Sequence, residues 1–248
     1  MAEFKLPTEI VDLPSKGLLY PKNNPLSSGQ IEMKYMTAKE EDILTNQAYI
    51  ADGTVFDRLF KSLIISKINY NDLLVGDKNA ILVAARILGY GKDYKFNYNN
   101  EEHSIDLTDI KDKPLDESLY VEGVNIFNFT LPTTKSTLQF KILTHKDEQN
   151  IKNELKGLKK LNKNSSPEVT TRLKHMITSI DGEEDSQTIR DFVDNYLLAK
   201  DAKALRNYVK QIQPDVDLTF FPSDGENRVD IPIGLTFFWP NDWDSTSS

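Results

Sequence analysis

The sequence predicts an α+β fold: a mainly helical body with a small antiparallel β insertion, an extended N-terminal arm and a C-terminal β-hairpin. Three observations predict it. Apolar residues recur at helical spacing in two separate blocks, alternate at strand spacing between those blocks, and are interrupted by prolines near the N terminus. With 248 residues, 39% hydrophobic and 27% charged, the chain can bury a core of its own. The segments expected are 1–36 (extended arm and first strand), 37–92 (helical block), 93–143 (β insertion), 144–213 (second helical block) and 214–248 (hairpin and tail).

The arm holds Pro7, Pro14, Pro21 and Pro25 with Gly17 and Gly29, a density that excludes helix. Leu13, Pro14, Leu18, Leu19 and Tyr20 could dock on the protein's own body or serve as partner contacts. Residues 30–36, QIEMKYM, alternate apolar and polar as a half-buried strand does. Thr37 stands three residues before Glu40, a capping box that opens a helix over 37–46. Val55, Phe56, Leu59, Phe60 and Leu63 give a second amphipathic helix ending near Ile65.

The stretch 72–94, DLLVGDKNAILVAARILGYGKDY, supplies the central helix, apolar on every side over 80–88 and therefore a core element. Asp77 is read as its N-terminal cap and Gly89 as its left-handed C-terminal residue, with Gly91 just beyond as a structural glycine. Arg86 is the exception. On so apolar a helix its guanidinium must reach the surface or find a carboxylate or carbonyl, so its role is read as structural pairing.

Residues 95–98 and 103–107 read as a β pair around a polar turn at 99–102, and 124–129 and 137–143 as two further strands. A helix starts at Thr144 with Asp147 in its first turn. Ile151, Leu155, Leu158 and Leu161 form its apolar stripe, and Lys152, Lys156, Lys159, Lys160 and Lys163 form a basic face. Val169, Leu173, Met176, Ile177 and Ile180 define the next helix, Ser186 caps another that reaches Leu197, and Asp201 starts the last before Pro214. Residues 216–221 and 228–238 form the closing hairpin. Phe237, Phe238 and Trp239 concentrate aromatic area there, as core anchors or as partner contacts.

A net charge of −8 argues against a broad nucleic-acid surface, and the absence of cysteine removes disulfides, thiol nucleophiles and cysteine-ligated metals. There is no apolar run of membrane-spanning length and no signal-peptide layout at the start, so an intracellular protein is expected. Phosphate-loop, dinucleotide, nucleophile-elbow and zinc-helix patterns are all missing. His103, His145 and His175 are widely separated and read as surface or capping residues. No catalytic residue, cofactor, metal site or small-molecule substrate is expected.

The segments PSKGLLYP (14–21), MTAKEEDILTN (36–46), NDLLVGDKNAILVAARILGYGKDY (71–94) and LTFFWP (235–240) resemble the baseplate hub proteins of T-even-type contractile-tailed phages, a family with a hub subunit and a longer hub assembly factor. The resemblance spans most of the chain. It implies a non-enzymatic part in building the tail-tip hub, with other hub and tail-tip proteins as partners, in the host cytoplasm during assembly and in the virion baseplate if the chain stays as a subunit. Where some members carry a CPxCG turn, this chain reads FPSDG at 221–225, so no metal ligand carries over. The competing reading from the residues is a nucleic-acid-associated adaptor using the lysine face. A hydrolase would need carboxylates and a histidine to converge on a pocket.

Overall fold

In the computed structural model, which describes residues 5–161, 167–222 and 228–238, the N-terminal stretch is not an extended arm but a closed hairpin. Strand β1 (Thr8–Asp12) pairs antiparallel with β2 (Gln30–Lys34), from Thr8 opposite Lys34 to Asp12 opposite Gln30. The prolines break the connection into turns rather than leaving it extended. Asn24 accepts from the Leu26 amide to start a 3-10 turn at Pro25–Ser28, with proline at its first position. Gly17, at φ 78°, passes so close to this turn that a Cβ there would sit 2.3 Å from the Ser27 carbonyl oxygen.

The first helical block follows the expected order. Helix α1 (Ala38–Leu44) opens with the Thr37 amide and hydroxyl both donating to Glu40, at 2.9 and 2.6 Å. A short helix unmarked by any apolar period, α2 (Gln47–Ala51), precedes α3 (Val55–Leu63). The central helix is α4 (Val75–Tyr90), with Ile81 and Ala85 fully enclosed.

Both end residues read for α4 are corrected. The helix begins two residues before Asp77, which is the third helical residue and turns its carboxylate toward the N-terminal hairpin. Gly89 lies inside the helix, where a Cβ would come within 2.9 Å of the Met36 methyl carbon, so its role is clearance. Gly91 closes the helix at φ 83°. Gly76 is tighter still: a Cβ would fall 1.7 Å from the Pro214 carbonyl oxygen, backbone against backbone. Gly76→Ala is therefore expected to cost about 2–3 kcal/mol, because α4 or the chain after α8 must shift. Urea unfolding measures it, and a cost under about 0.5 kcal/mol would contradict the close approach.

The β insertion is two sheets, not one. Strands β3 (Asp93–Tyr98) and β4 (Glu101–Asp106) form a hairpin whose turn residues Asn99 and Asn100 both have positive φ, at 51° and 64°. The other sheet orders β5 (Phe127–Thr130), β6 (Thr137–Phe140) and β7 (Ile177–Ile180). Strand β7 comes from the second helical block, so the expected boundary at 143 is crossed, and Ile177 and Ile180 are strand residues rather than part of a helix. The run Ile-Thr-Ser-Ile explains the switch: β-branched residues side by side fit a pleated surface better than a helix, and Ile177 and Ile180 are buried there.

That block otherwise holds α5 (His145–Leu161), α6 (Glu168–Met176), α7 (Ser186–Asn195) and α8 (Ala199–Ile212). Asp185, not Ser186, caps α7 by accepting from the Thr188 amide. The closing hairpin is shorter than expected. Among the described residues, only Thr219–Phe220 (β8) and Val229–Asp230 (β9) pair in it, and Leu235–Phe238 is a 3-10 turn folded into the core.

One device recurs. The third residue of α1, α4, α5 and α8 is a buried acid, respectively Glu40, Asp77, Asp147 and Asp201. Each sits where the positive helix end favours a carboxylate and takes hydrogen bonds from a segment outside its helix. Asp201, for example, accepts from the amides of Thr133 and Thr134 in the β5–β6 turn, at 2.8 and 3.1 Å.

Candidate functional site

The central helix organises two buried polar clusters, one near each end. At its start, Asp77 accepts from the Ser15 amide (2.9 Å), the Ser15 hydroxyl (2.8 Å) and the Tyr20 hydroxyl (2.6 Å). Each hydroxyl also accepts a backbone amide, Ser15 Oγ from Gly17 and Tyr20 OH from Leu74. Burial raises the Asp77 carboxyl to about 6, against the opposing pull of these hydrogen bonds. The hairpin connection is thereby fastened to α4.

At the other end Arg86 resolves as a carbonyl clamp. Its Nε donates to Phe237 O at 2.8 Å, and its terminal nitrogens to Gly91 O at 2.7 Å and Asp93 O at 3.0 Å. The expected structural pairing is thus made to carbonyls, and it ties the C-terminal turn to the end of α4. Phe237 stands edge-on to Tyr94 at 4.8 Å, and Phe238 contacts Phe56 at 5.5 Å.

The residues read as partner contacts are therefore relocated. Leu13, Pro14, Leu19, Tyr20, Phe237 and Phe238 are buried within this chain, and Leu18 is half-buried. Their apolar area is spent on the core, which leaves little of it for a partner. Trp239 lies outside the described residues.

A third cluster, invisible in the sequence, joins α3, α4 and α5. Asp57 accepts from Lys78 Nζ (2.8 Å), Tyr70 OH (2.9 Å) and Gln149 Nε2 (3.2 Å), while Lys78 Nζ lies 3.0 Å from His145 Nδ1. His145 is buried rather than a surface residue. Burial, and then the neighbouring Lys78 charge, lower its imidazole to about 4, so it is neutral and accepts from Lys78. Asp57 Oδ1 also lies 3.7 Å from the same ring nitrogen, so carboxylate, ammonium and imidazole meet at one point and crosslink three helices. Elsewhere His175 meets Glu154 at 2.9 Å, and His103 packs against Phe96 and Phe220.

Comparison of the chain with protein-family models, curated proteins and solved structures finds no match in any of the three. Among the described residues no group of three or more His, Asp or Glu side chains could hold a metal ion, and no helix is long and apolar enough to cross a membrane.

The surface carries two features. The loop after β4 exposes Leu119 (43%), Val121 (65%), Val124 (39%) and Ile126 (48%). Its base is pinned beside the N-terminal hairpin by the Gly123 amide donating to Leu18 O at 2.7 Å, and from behind by the Tyr120 hydroxyl on Ile212 O. Four exposed large apolar side chains within eight residues of a loop fixed at its base are candidates for protein contact. Reading 124–129 as a strand hid it, since Val124 and Ile126 precede β5 and make no ladder in that sheet. The other feature is the lysine face of α5, where Lys152 donates to the carbonyls of Asp52 and Gly53. Lys163 lies outside the described residues.

Proposed function

We propose that this chain acts without catalysis as a component of the hub at the tip of a contractile phage tail, either as a hub subunit or as a chaperone of hub assembly, through contacts with other hub and tail-tip proteins. The observation that supports this reading is the meeting of the resembling segments. PSKGLLYP, MTAKEEDILTN and LTFFWP are separate in sequence, yet Ser15 and Tyr20 bind Asp77, Met36 packs on Gly89, and Phe237 accepts from Arg86. All three converge on α4, which lies in the fourth segment. Separated likenesses that fold into one unit are stronger support than a single short match. With Leu13, Pro14, Leu19, Tyr20, Phe237 and Phe238 buried, the surface this reading calls upon is the apolar loop at Leu119, Val121, Val124 and Ile126.

The test is genetic and compositional. Deleting the chain is expected to leave tails without hubs, and restoring it as Val121→Asp with Ile126→Asp is expected not to rescue them although the protein still folds. The chain's presence in purified tails assigns the subunit role, and its absence assigns the chaperone role in the host cytoplasm. Normal hubs in the deletion would overturn the reading.

A further inference from the structure

We infer that the groove between α5 and α6 seats an acidic, amphipathic helix of a partner protein. This site is distant in sequence from the apolar loop, and the inference stands whether or not the hub reading holds. Buried Ile151 and half-buried Leu155 line a cavity of about 320 Å³ whose walls are Lys152, Lys156, Lys159 and Arg172 with two carboxylates, Glu148 and Glu168, both of which face Arg172. Glu168 and Arg172 also line a second, mainly apolar cavity of about 200 Å³, formed by Val169, Leu173 and Met176 of α6 and Arg206 of α8, and Val169 is 46% exposed.

Charge identifies the occupant. Arg172 is already matched, paired to both oxygens of Glu148 at 2.7 and 2.8 Å. Lys156, Lys159 and Lys160 form no ion pair among the described residues, although the chain as a whole carries −8. Uncompensated lysines at helical spacing beside an apolar trough complement a partner that brings carboxylates on its flanks and apolar residues on its face. A nucleic acid fits less well: no aromatic ring lines either cavity to stack on a base, and binding would leave the apolar floor against phosphate. Helix α5, at 17 residues, extends about 25 Å, so a partner helix of several turns can lie along it.

The probe is a fluorescent synthetic helix with leucine at core spacing and glutamate elsewhere, titrated against the full chain alongside a composition-matched scrambled peptide and a single-stranded oligonucleotide. The amphipathic peptide is expected to bind at least about tenfold more tightly than the scrambled one. Lys156→Glu with Lys159→Glu, and separately Val169→Glu, should each weaken it by about tenfold. Hydrogen exchange on the unaltered protein should show new protection in α5 and α6, which keeps the test independent of how the variants fold. Absent binding, equal binding of the scrambled peptide, protection elsewhere, or an oligonucleotide that binds more tightly and loses affinity with the lysine reversals would each overturn the proposal.

Discussion

Asp77→Ala is expected to destabilise the protein by about 4 kcal/mol, among the largest effects of any polar substitution in it. Three donors lose one acceptor in a site closed to water: the Ser15 amide, the Ser15 hydroxyl and the Tyr20 hydroxyl. Tyr20→Phe, which removes one donor and orphans the Leu74 amide, should cost about 2 kcal/mol. Urea unfolding gives these values, and proteolysis of the connection between β1 and β2 should accelerate in Asp77→Ala more than cleavage elsewhere.

The same residue fixes a pH dependence. Its folded carboxyl is raised to about 6 from an ordinary 3.8, so its contribution is fully present below 3.8 and is lost as pH rises through about 6. The stability difference between the native protein and Asp77→Ala should therefore grow as pH falls from about 6 to 4. Glu40 runs the opposite way. Burial opposes its ionisation, but hydrogen bonds from Lys34, Ser62 and Thr37 outweigh it and hold the carboxyl at about 2, so its contribution falls away below pH 4.5. A flat or inverted profile for the Asp77 difference would contradict the assignment.

The sequence made the helices legible wherever the apolar period and the cap agreed. Thr37 with Glu40 placed the start of α1 within a residue, and the all-round apolar run of 80–88 identified the buried α4. It failed where a residue's partner lies far along the chain. Asp77 has the composition of a cap and behaves as a receptor for Ser15 and Tyr20, about sixty positions earlier. Strand β7 was hidden because Ile177 and Ile180 extend a helical spacing that β6 overrides by offering a ladder. The arm residues looked available to partners because proline density reports only that a segment is not helical. Whether such a segment closes on its own body depends on a socket, here Asp77, that no local pattern announces. The apolar loop was masked by the opposite error, in which Val124 and Ile126 alternate like strand residues without a neighbouring strand to pair with in the β5–β6 sheet.

Arg86→Met should remove about 3 kcal/mol and loosen the C-terminal turn before it loosens α4. Methionine preserves most of the apolar stem, so the loss isolates the guanidinium. Three carbonyls, of Phe237, Gly91 and Asp93, then lose a donor in a largely buried site. Burial lowers the guanidinium's pKa, yet carbonyl oxygens on three sides replace the water it gives up, which is why no carboxylate is required. Lysine should recover less than half of the loss, since one ammonium on a flexible stem cannot span oxygens from two distant segments. Hydrogen exchange distinguishes this clamp from general packing. Protection at the Phe237 amide, which donates to Gly234 O, should fall well before that of Ile81 or Ala85 in the enclosed middle of α4. Full rescue by lysine, or a uniform loss of protection along α4, would mean that the aromatic contacts of Phe237 and Phe238 hold the C-terminal turn and Arg86 only fills space.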